Sequence, residues 1–180
     1  MFIQTEVTPN PNSLKFLPGK NVSNSGSFEI TKKEDTESEL VRNLLSINGV
    51  TGVFLGPDFL SINKKEEINW EEVKHIVISL INDFYSTGKE FVIANELFTE
   101  KKKEHSEIDK KIISILETKI RPAVAKDGGD IKFKEFKDGI VKVELQGSCS
   151  GCPSSTMTLK QGVQNLLCHY LPEVKEVVAV

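Results

Sequence analysis

The sequence contains only three cysteines in 180 residues, and an odd number of cysteines argues against a scaffold held together by disulfides. These residues, Cys149, Cys152 and Cys168, are instead candidates for metal binding, thiol redox chemistry or burial in a hydrophobic core. With so few cysteines, any metal site in this chain has a limited set of sulfur ligands.

The chain also lacks long apolar runs. Its longest largely apolar run, residues 76–81, is far shorter than the ~20 residues that a membrane-spanning helix needs. The first residues lack the basic segment and apolar stretch of a signal peptide, and they lack the arginine-rich, acid-poor composition of a mitochondrial presequence. We therefore expect no membrane association and a cytoplasmic, bacterial location, or a mitochondrial one if the sequence is a mature eukaryotic form.

An excess of positive charge is missing as well. The formal net charge is -3 and the pI is about 5.7, which argues against nucleic-acid binding because that needs a basic surface. Hydrophobic residues make up 38% and charged residues 27%, a balance that is typical of globular proteins rather than disordered ones.

The patterning of the chain predicts an α+β fold made of two small α+β domains joined by a charged linker. We expect an N-terminal domain over residues 1–98, a linker over 99–106 and a C-terminal domain over 107–180. The linker is rich in lysine and glutamate and has no apolar period. Ser106, with Asp109 three residues later, predicts the cap of a new helix at its end.

In the N-terminal half, apolar periodicity predicts strands at 2–7, 14–17, 50–55 and 59–63 and helices at 37–47 and from the cap Asn69 to Gly88. The residues expected on the buried face of the second helix are Val73, Ile76, Val77, Leu80 and Phe84. We find no cysteine and no catalytic constellation in this half, and we expect the protein not to be an enzyme.

In the C-terminal half, the same reasoning predicts a helix at 107–123, a turn at 127–130, strands at 131–134, 141–145 and 174–180, and a helix at 153–170. Asp138-Gly139 predicts a hairpin turn between the first two strands. The residues expected on the buried face of the last helix are Leu159, Val163, Leu166, Leu167 and Tyr170.

The most informative motif is the pair Cys149 and Cys152, which are separated by two residues so that both thiolates can reach one metal centre. Gly147 and Gly151 allow the backbone conformations that such a loop needs, and Pro153 favours the first turn of the following helix. Because a helix N-terminus carries partial positive charge, we expect it to lower the pKa of both thiols.

One chain supplies too few ligands for such a centre. Tetrahedral zinc and the common iron–sulfur clusters take four ligands, and a continuous helix would place Cys168 ~24 Å beyond Cys152. We expect the three histidines, His75, His105 and His169, to be structural or solvent-facing. The shortage is most simply met by two chains, each giving two thiolates around a two-fold axis. A centre held by two bonds per chain is labile, which suits delivery.

Two alternatives remain open at this point. The Cys-x-x-Cys pair is also compatible with a zinc-binding structural or interaction module that uses the same ligands. It is less compatible with a thiol–disulfide oxidoreductase, because the proline follows the second cysteine instead of lying between the two and no thioredoxin-like βαβ start precedes the motif.

Several segments resemble the Nfu family, the NifU-like iron–sulfur cluster scaffold and carrier proteins. The C-terminal segments that carry the resemblance are Ile120-Arg121-Pro122, Asp127-Gly128-Gly129-Asp130, residues 145–156, Thr158-Leu159-Lys160 and Pro172-Glu173-Val174. The N-terminal segments are residues 8–16, Gly49-Val50 and residues 53–59, which are similar to the family's amino-terminal domain.

The resemblance implies a [4Fe-4S] cluster that bridges a homodimer and is held by Cys149 and Cys152 of each chain. It further implies transfer of the cluster to apo iron–sulfur proteins, for example lipoyl synthase or aconitase-like enzymes, and receipt from upstream cluster assembly factors. The residues by themselves indicate only a loop with two thiolates and a shortage of ligands.

Overall fold

The computed structural model describes residues 2–24, 26–89, 104–150 and 153–180. These residues form two α+β units, each with its own sheet and hydrophobic core, so the predicted fold class is confirmed. Most of the predicted linker, and the boundary at residue 98, lie outside the described residues. The division of the chain into domains at those positions therefore stays a prediction.

The N-terminal unit is built on a five-stranded antiparallel sheet with the order β1-β2-β5-β4-β3. The strands are β1 (Gln4–Val7), β2 (Ser13–Leu17), β3 (Phe28–Ile30), β4 (Val50–Leu55) and β5 (Leu60–Lys64). Strand β3 is absent from the sequence-based expectation because three residues are too short for a period of two to show. It forms by pairing with β4 at the edge of the sheet.

Two helices cover one face of this sheet, α1 (Glu39–Leu45) and α2 (Trp70–Ser86). Asn69 caps α2 as predicted, because its side chain accepts a hydrogen bond from the backbone N–H of Glu71. The helices and the apolar side of the sheet enclose a core that includes Phe16, Leu44, Leu60 and Val77, all fully buried.

The predicted buried face of α2 is confirmed for Val73 and Val77, which are buried, and for Leu80 and Phe84, which are half-buried and pack against the core. The residues that α2 buries are Val73, Val77, Ile81 and Tyr85. Ile76 is instead 48% exposed. The prediction is therefore wrong for Ile76, and it did not include Ile81 or Tyr85, whose hydroxyl donates to the carbonyl oxygen of Asn21 at 3.4 Å.

The C-terminal unit is built on a three-stranded sheet with the order β6-β7-β8. Its strands are β6 (Gly129–Lys137), β7 (Ile140–Gly147) and β8 (Glu176–Ala179), and its helices are α3 (Glu107–Ile115), α4 (Arg121–Lys126) and α5 (Pro153–Tyr170). Strands β6 and β7 are antiparallel, whereas β7 and β8 are parallel. Parallel neighbours need a crossover, and α5 provides it.

The hairpin between β6 and β7 turns at Asp138-Gly139, as predicted. Both residues have positive φ, 52° and 81°, which is the conformation that a two-residue hairpin turn of the right twist requires. At the far end of the unit, Tyr170 is 49% exposed and Leu171 is buried in its place, so the expected burial of Tyr170 is wrong.

The helix predicted at 107–123 extends to Lys126 but contains a wider π-helical turn at Leu116–Ile120. There the backbone N–H of Arg121 donates to the carbonyl oxygen of Leu116, five residues earlier. Pro122 explains the irregularity, because it has no N–H to donate to the preceding turn and its ring crowds that turn. Among the described residues, no helix has the length and apolar character to cross a bilayer.

One ion pair ties the irregular helix to the sheet. Arg121 Nε and Nη2 each lie 2.9 Å from a carboxylate oxygen of Asp130. Asp130 is 4% exposed, and its Oδ1 also accepts a hydrogen bond from the backbone N–H of Ile131 at 2.8 Å. The hydrogen bond to Asp130, followed by its charge, raises the pKa of Arg121. The pair therefore stabilises the turn that connects α4 with β6.

Replacing Asp130 by alanine should lower the free energy of unfolding by about 2 kcal/mol, because it leaves a half-buried guanidinium without its bidentate partner. Urea unfolding followed by circular dichroism measures the loss. The matched control is Lys110→Ala, which removes an exposed ion pair with Glu107 at 3.0 Å and should change stability by less than about 0.5 kcal/mol. Equal effects of the two substitutions would contradict this role for Asp130.

Candidate functional site

Cys149 lies two residues after the end of β7, in the loop that leads to α5. It is 8% exposed and lines a cavity of about 310 Å³. The other residues around this cavity are Pro9, Val124, Asp127, Ser148, Thr158 and Leu159. Cys152 and Gly151 lie outside the described residues, so the predicted pairing of Cys152 with Cys149 stays a prediction.

Two glycine-containing turns meet at Cys149. A Cβ atom on Gly129 would lie 2.6 Å from Cys149 Sγ, and one on Gly147 would lie 2.6 Å from the carbonyl oxygen of Gly128. Gly147 also has φ +67°, a conformation that other residues rarely adopt. The approach of the two turns therefore requires glycine at both positions.

Sequence reasoning treats the segment Asp127-Gly128-Gly129-Asp130 as a turn and does not predict that it contacts Cys149. The structure gives each part a role: Asp127 and Gly128 make the turn, and Gly129 and Asp130 begin β6. The two consecutive glycines are the only signal in the sequence for this close approach.

Hydrogen bonds fix the loop around Cys149. The hydroxyl of Ser148 donates to the carbonyl oxygen of Asp127, and the backbone N–H of Ser148 donates to that of Gly128 at 3.2 Å. The hydroxyl of Thr156, in the first turns of α5, donates to the carbonyl oxygen of Cys149 at 3.1 Å. The cysteine backbone is thus held from the preceding turn and from the following helix.

Burial above all raises the pKa of the Cys149 thiol to about 11, partly opposed by a hydrogen bond with Ser148 and supported by the nearby carboxylates of Asp127 and Asp130. The predicted lowering of this pKa is therefore wrong for Cys149. The physical reason is that removing the thiolate from water costs more than the partial charge of the helix N-terminus returns.

Cys168 is distant from this loop. Helix α5 is continuous from Pro153 to Tyr170, as predicted, which places Cys168 about 22 Å along the axis from the start of the helix. Its Sγ donates to the carbonyl oxygen of Val174 at 3.1 Å, within the turn that follows the helix. Cys168 is half-buried and packs against the C-terminal core.

The histidines have other contacts in the described chain. His105 lies 4.0 Å from a carboxylate oxygen of Asp109, His169 packs edge-on against Tyr170, and His75 is exposed on α2. In the part of the chain that the structure describes, no group of three or more His, Cys, Asp or Glu side chains is placed to hold a metal ion.

The N-terminal unit contacts both turns beside Cys149, which sequence reasoning did not anticipate. Ser61 Oγ donates to the carbonyl oxygen of Gly128 at 2.6 Å, and Asn63 Nδ2 donates to that of Gly147 at 3.1 Å. Glu29 Oε1 accepts hydrogen bonds from the backbone N–H of Gly147 at 3.2 Å and from the hydroxyl of Ser150 at 3.1 Å. Desolvation of the Glu29 carboxylate, which its hydrogen bonds only partly offset, raises its pKa.

Comparison with protein families finds two matches that together span most of the chain. Residues 3–88 match the family described as "Scaffold protein Nfu/NifU N terminal". Residues 112–178 match the family described as "NifU-like domain", which contains both Cys149 and Cys152.

Curated relatives match over nearly all of this chain. A human protein named "NFU1 iron-sulfur cluster scaffold homolog, mitochondrial" is 46% identical over 98% of this chain and 71% of its own length. "NifU-like protein 4, mitochondrial" of Arabidopsis thaliana is 44% identical over 98% of this chain and 65% of its own length. This chain thus spans about two thirds of the length of these relatives.

Among solved structures, a solution structure of a NifU-like protein from Saccharomyces cerevisiae aligns with a TM-score of 0.47 and 30% identity. The alignment covers 52% of this chain and 85% of that one. The two family matches and the long alignments with curated relatives lead to one conclusion: the chain belongs to the Nfu family of NifU-like iron–sulfur cluster scaffold proteins.

Proposed function

We propose that this protein binds a [4Fe-4S] cluster between two copies of the chain, through Cys149 and Cys152 of each, and delivers it to apo iron–sulfur proteins. The cluster is cargo, and the protein catalyses no reaction on it. The observation that carries the proposal is the position of Cys149 in a strand-to-helix loop, within a chain that belongs to a family of cluster scaffolds.

The supply of ligands supports a site shared between chains. Within the described residues no set of three ligand side chains is in place, and Cys168 is held at the opposite end of α5. Thiolates are the ligands that iron–sulfur clusters take, and four of them complete the common cluster types. Two copies of the Cys149 and Cys152 pair supply that number.

The same arrangement supports delivery rather than permanent storage. Each chain would contribute two bonds to the cluster, so separation of the two chains exposes the cargo to a recipient. Recipients are apo iron–sulfur proteins, of which lipoyl synthase and aconitase-like enzymes are examples implied by the family resemblance, and upstream assembly factors supply the cluster. We propose that residues 1–98 and residues 107–180 are two separate domains, of which the second carries the cysteine pair.

The names of the relatives bear on the cellular location of the protein. Both named relatives are described as mitochondrial, which favours the mitochondrial alternative of the sequence analysis over the cytoplasmic, bacterial one. We propose that the chain works in the mitochondrial compartment, and fractionation of cells that express it from its own gene tests this location.

Cys149→Ala and Cys152→Ala should each abolish cluster binding and the dimer that depends on it, because either change halves the sulfur ligands. Anaerobic reconstitution with iron and sulfide, metal and sulfide analysis, and native mass measurement report the result. For the unaltered chain we expect roughly four iron and four sulfide per dimer. A fully loaded monomer would contradict the proposal.

Cys168→Ala is the matched control, since it removes a thiol from the same helix that follows the loop. It should leave the iron and sulfide content unchanged and cost about 1 kcal/mol in packing. The same preparations test the zinc alternative: stoichiometric zinc without sulfide in protein purified anaerobically would favour a structural zinc module.

Thiol–disulfide exchange needs a reactive thiolate, and the pKa of about 11 at Cys149 opposes it. At pH 8, iodoacetamide should alkylate Cys149 about 100-fold more slowly in the folded apo protein than in urea, because two pKa units separate the buried thiol from an unperturbed one. The double variant Cys152→Ser, Cys168→Ser leaves Cys149 as the only thiol, and mass spectrometry measures its rate of alkylation. Fast alkylation of the folded chain would favour the redox alternative.

A further inference from the structure

The second face of the N-terminal sheet carries several polar side chains beside the buried ring of Phe54, and these polar side chains are themselves buried. Strand β5 directs Leu60 and Ile62 into the N-terminal core, so Ser61 and Asn63 point to the opposite side. Such alternation normally marks a sheet with one hydrated face. Ser61 is nevertheless 0% exposed, and Lys15, on the same face of the neighbouring strand β2, is 8% exposed.

The loop that carries Cys149 and the turn before β6 both contact this face. Ser61 and Asn63 donate to the carbonyl oxygens of Gly128 and Gly147, one in each of the two turns that meet at the cysteine. Asn10 Nδ2 donates to the carbonyl oxygen of Ser150 at 3.2 Å. Each of these side chains donates to a backbone carbonyl oxygen that water would otherwise hydrate. The positions of the donors on the sheet therefore match the positions of the acceptors in the two turns.

Glu29 adds the only carboxylate contact to the loop among the described hydrogen bonds. It stands on the edge strand β3, opposite Phe54 of β4, and one of its oxygens accepts from both Gly147 N and Ser150 Oγ. The two donors lie on either side of Cys149 in the chain. Glu29 therefore closes the loop against the sheet on that edge.

We propose that this polar face, formed by Asn10, Glu29, Ser61 and Asn63, is an intramolecular docking surface for the cysteine loop, and that docking competes with cluster sharing between two chains. The second part rests on the proposed function. To bind a cluster that another chain also ligates, the sulfur has to lie at a surface that two loops can reach. Docked, Cys149 is 8% exposed and Pro9 of the N-terminal unit forms part of its cavity wall.

The chemistry of this surface makes the docking reversible. The ring of Phe54 lies beside Gly147, but the other contacts are hydrogen bonds of polar side chains with the loop. Water replaces such bonds when the surfaces separate. Interfaces between units of one chain are commonly polar, and relative motion of the units is then the default. The N-terminal unit keeps its own apolar core on the other face of the sheet, so separation from the loop leaves that core covered.

Amide hydrogen exchange of the full apo chain tests the docking. Glu29→Ala and Asn63→Ala should each raise the exchange rate of the Gly147, Ser148 and Ser150 amides at least tenfold. Glu37→Ala, which removes an exposed carboxylate from the same unit, should leave these rates unchanged. Trp70 fluorescence in urea verifies that each variant keeps its N-terminal unit folded. Unchanged exchange in both folded variants would overturn the docking.

Anaerobic reconstitution tests the competition. Glu29→Ala should form the cluster-loaded dimer at least threefold faster than the unaltered chain and than Glu37→Ala, as measured by native mass at fixed times. Equal or slower loading, despite faster exchange, would overturn the competition and leave Glu29 as a residue that only positions the loop. If no variant takes up iron and sulfide, the proposed function fails and the competition fails with it, whereas the exchange rates still decide the docking.

Discussion

The site depends on one close approach of two chain segments. The turn before β6 and the end of β7 come so near each other that a hydrogen atom is all that fits at Gly129 and Gly147. Cys149 sits directly beyond this contact, with its sulfur against Gly129. A side chain at Gly129 would collide with the sulfur of Cys149, and one at Gly147 would collide with the backbone of Gly128 and Gly129. The position of the cysteine therefore depends on two residues that have no reactive side chain.

Two physical effects act in opposite directions on the Cys149 thiol. The N-terminus of α5 favours a thiolate through its unpaired N–H groups and partial charge. Burial in the C-terminal core favours the neutral thiol, and the pKa of Cys149 is raised on balance. A cysteine in such an environment reacts slowly with oxidants and alkylating agents, because the thiolate is the reactive form.

The sequence predicted most of the elements in their observed order, with the short strand β3 as an exception. The turn at Asp138-Gly139, the caps at Asn69 and Ser106, and the start of α5 at Pro153 all follow from local rules, because each is decided by residues within a few positions of one another. The spacing of Cys149 and Cys152, and the distance of Cys168 along a continuous helix, belong to the same class of local information.

Tertiary structure alone decided how these elements meet. The burial of Ser61 and the contacts of Glu29 with Gly147 join residues more than sixty positions apart, and a period of two in a strand says which residues share a face but not what covers that face. The exposure of Ile76 and the burial of the Cys149 thiol likewise depend on packing that local sequence patterns do not specify. Desolvation depends on neighbours that are distant in the chain, so local patterns could not give the sign of the pKa shift.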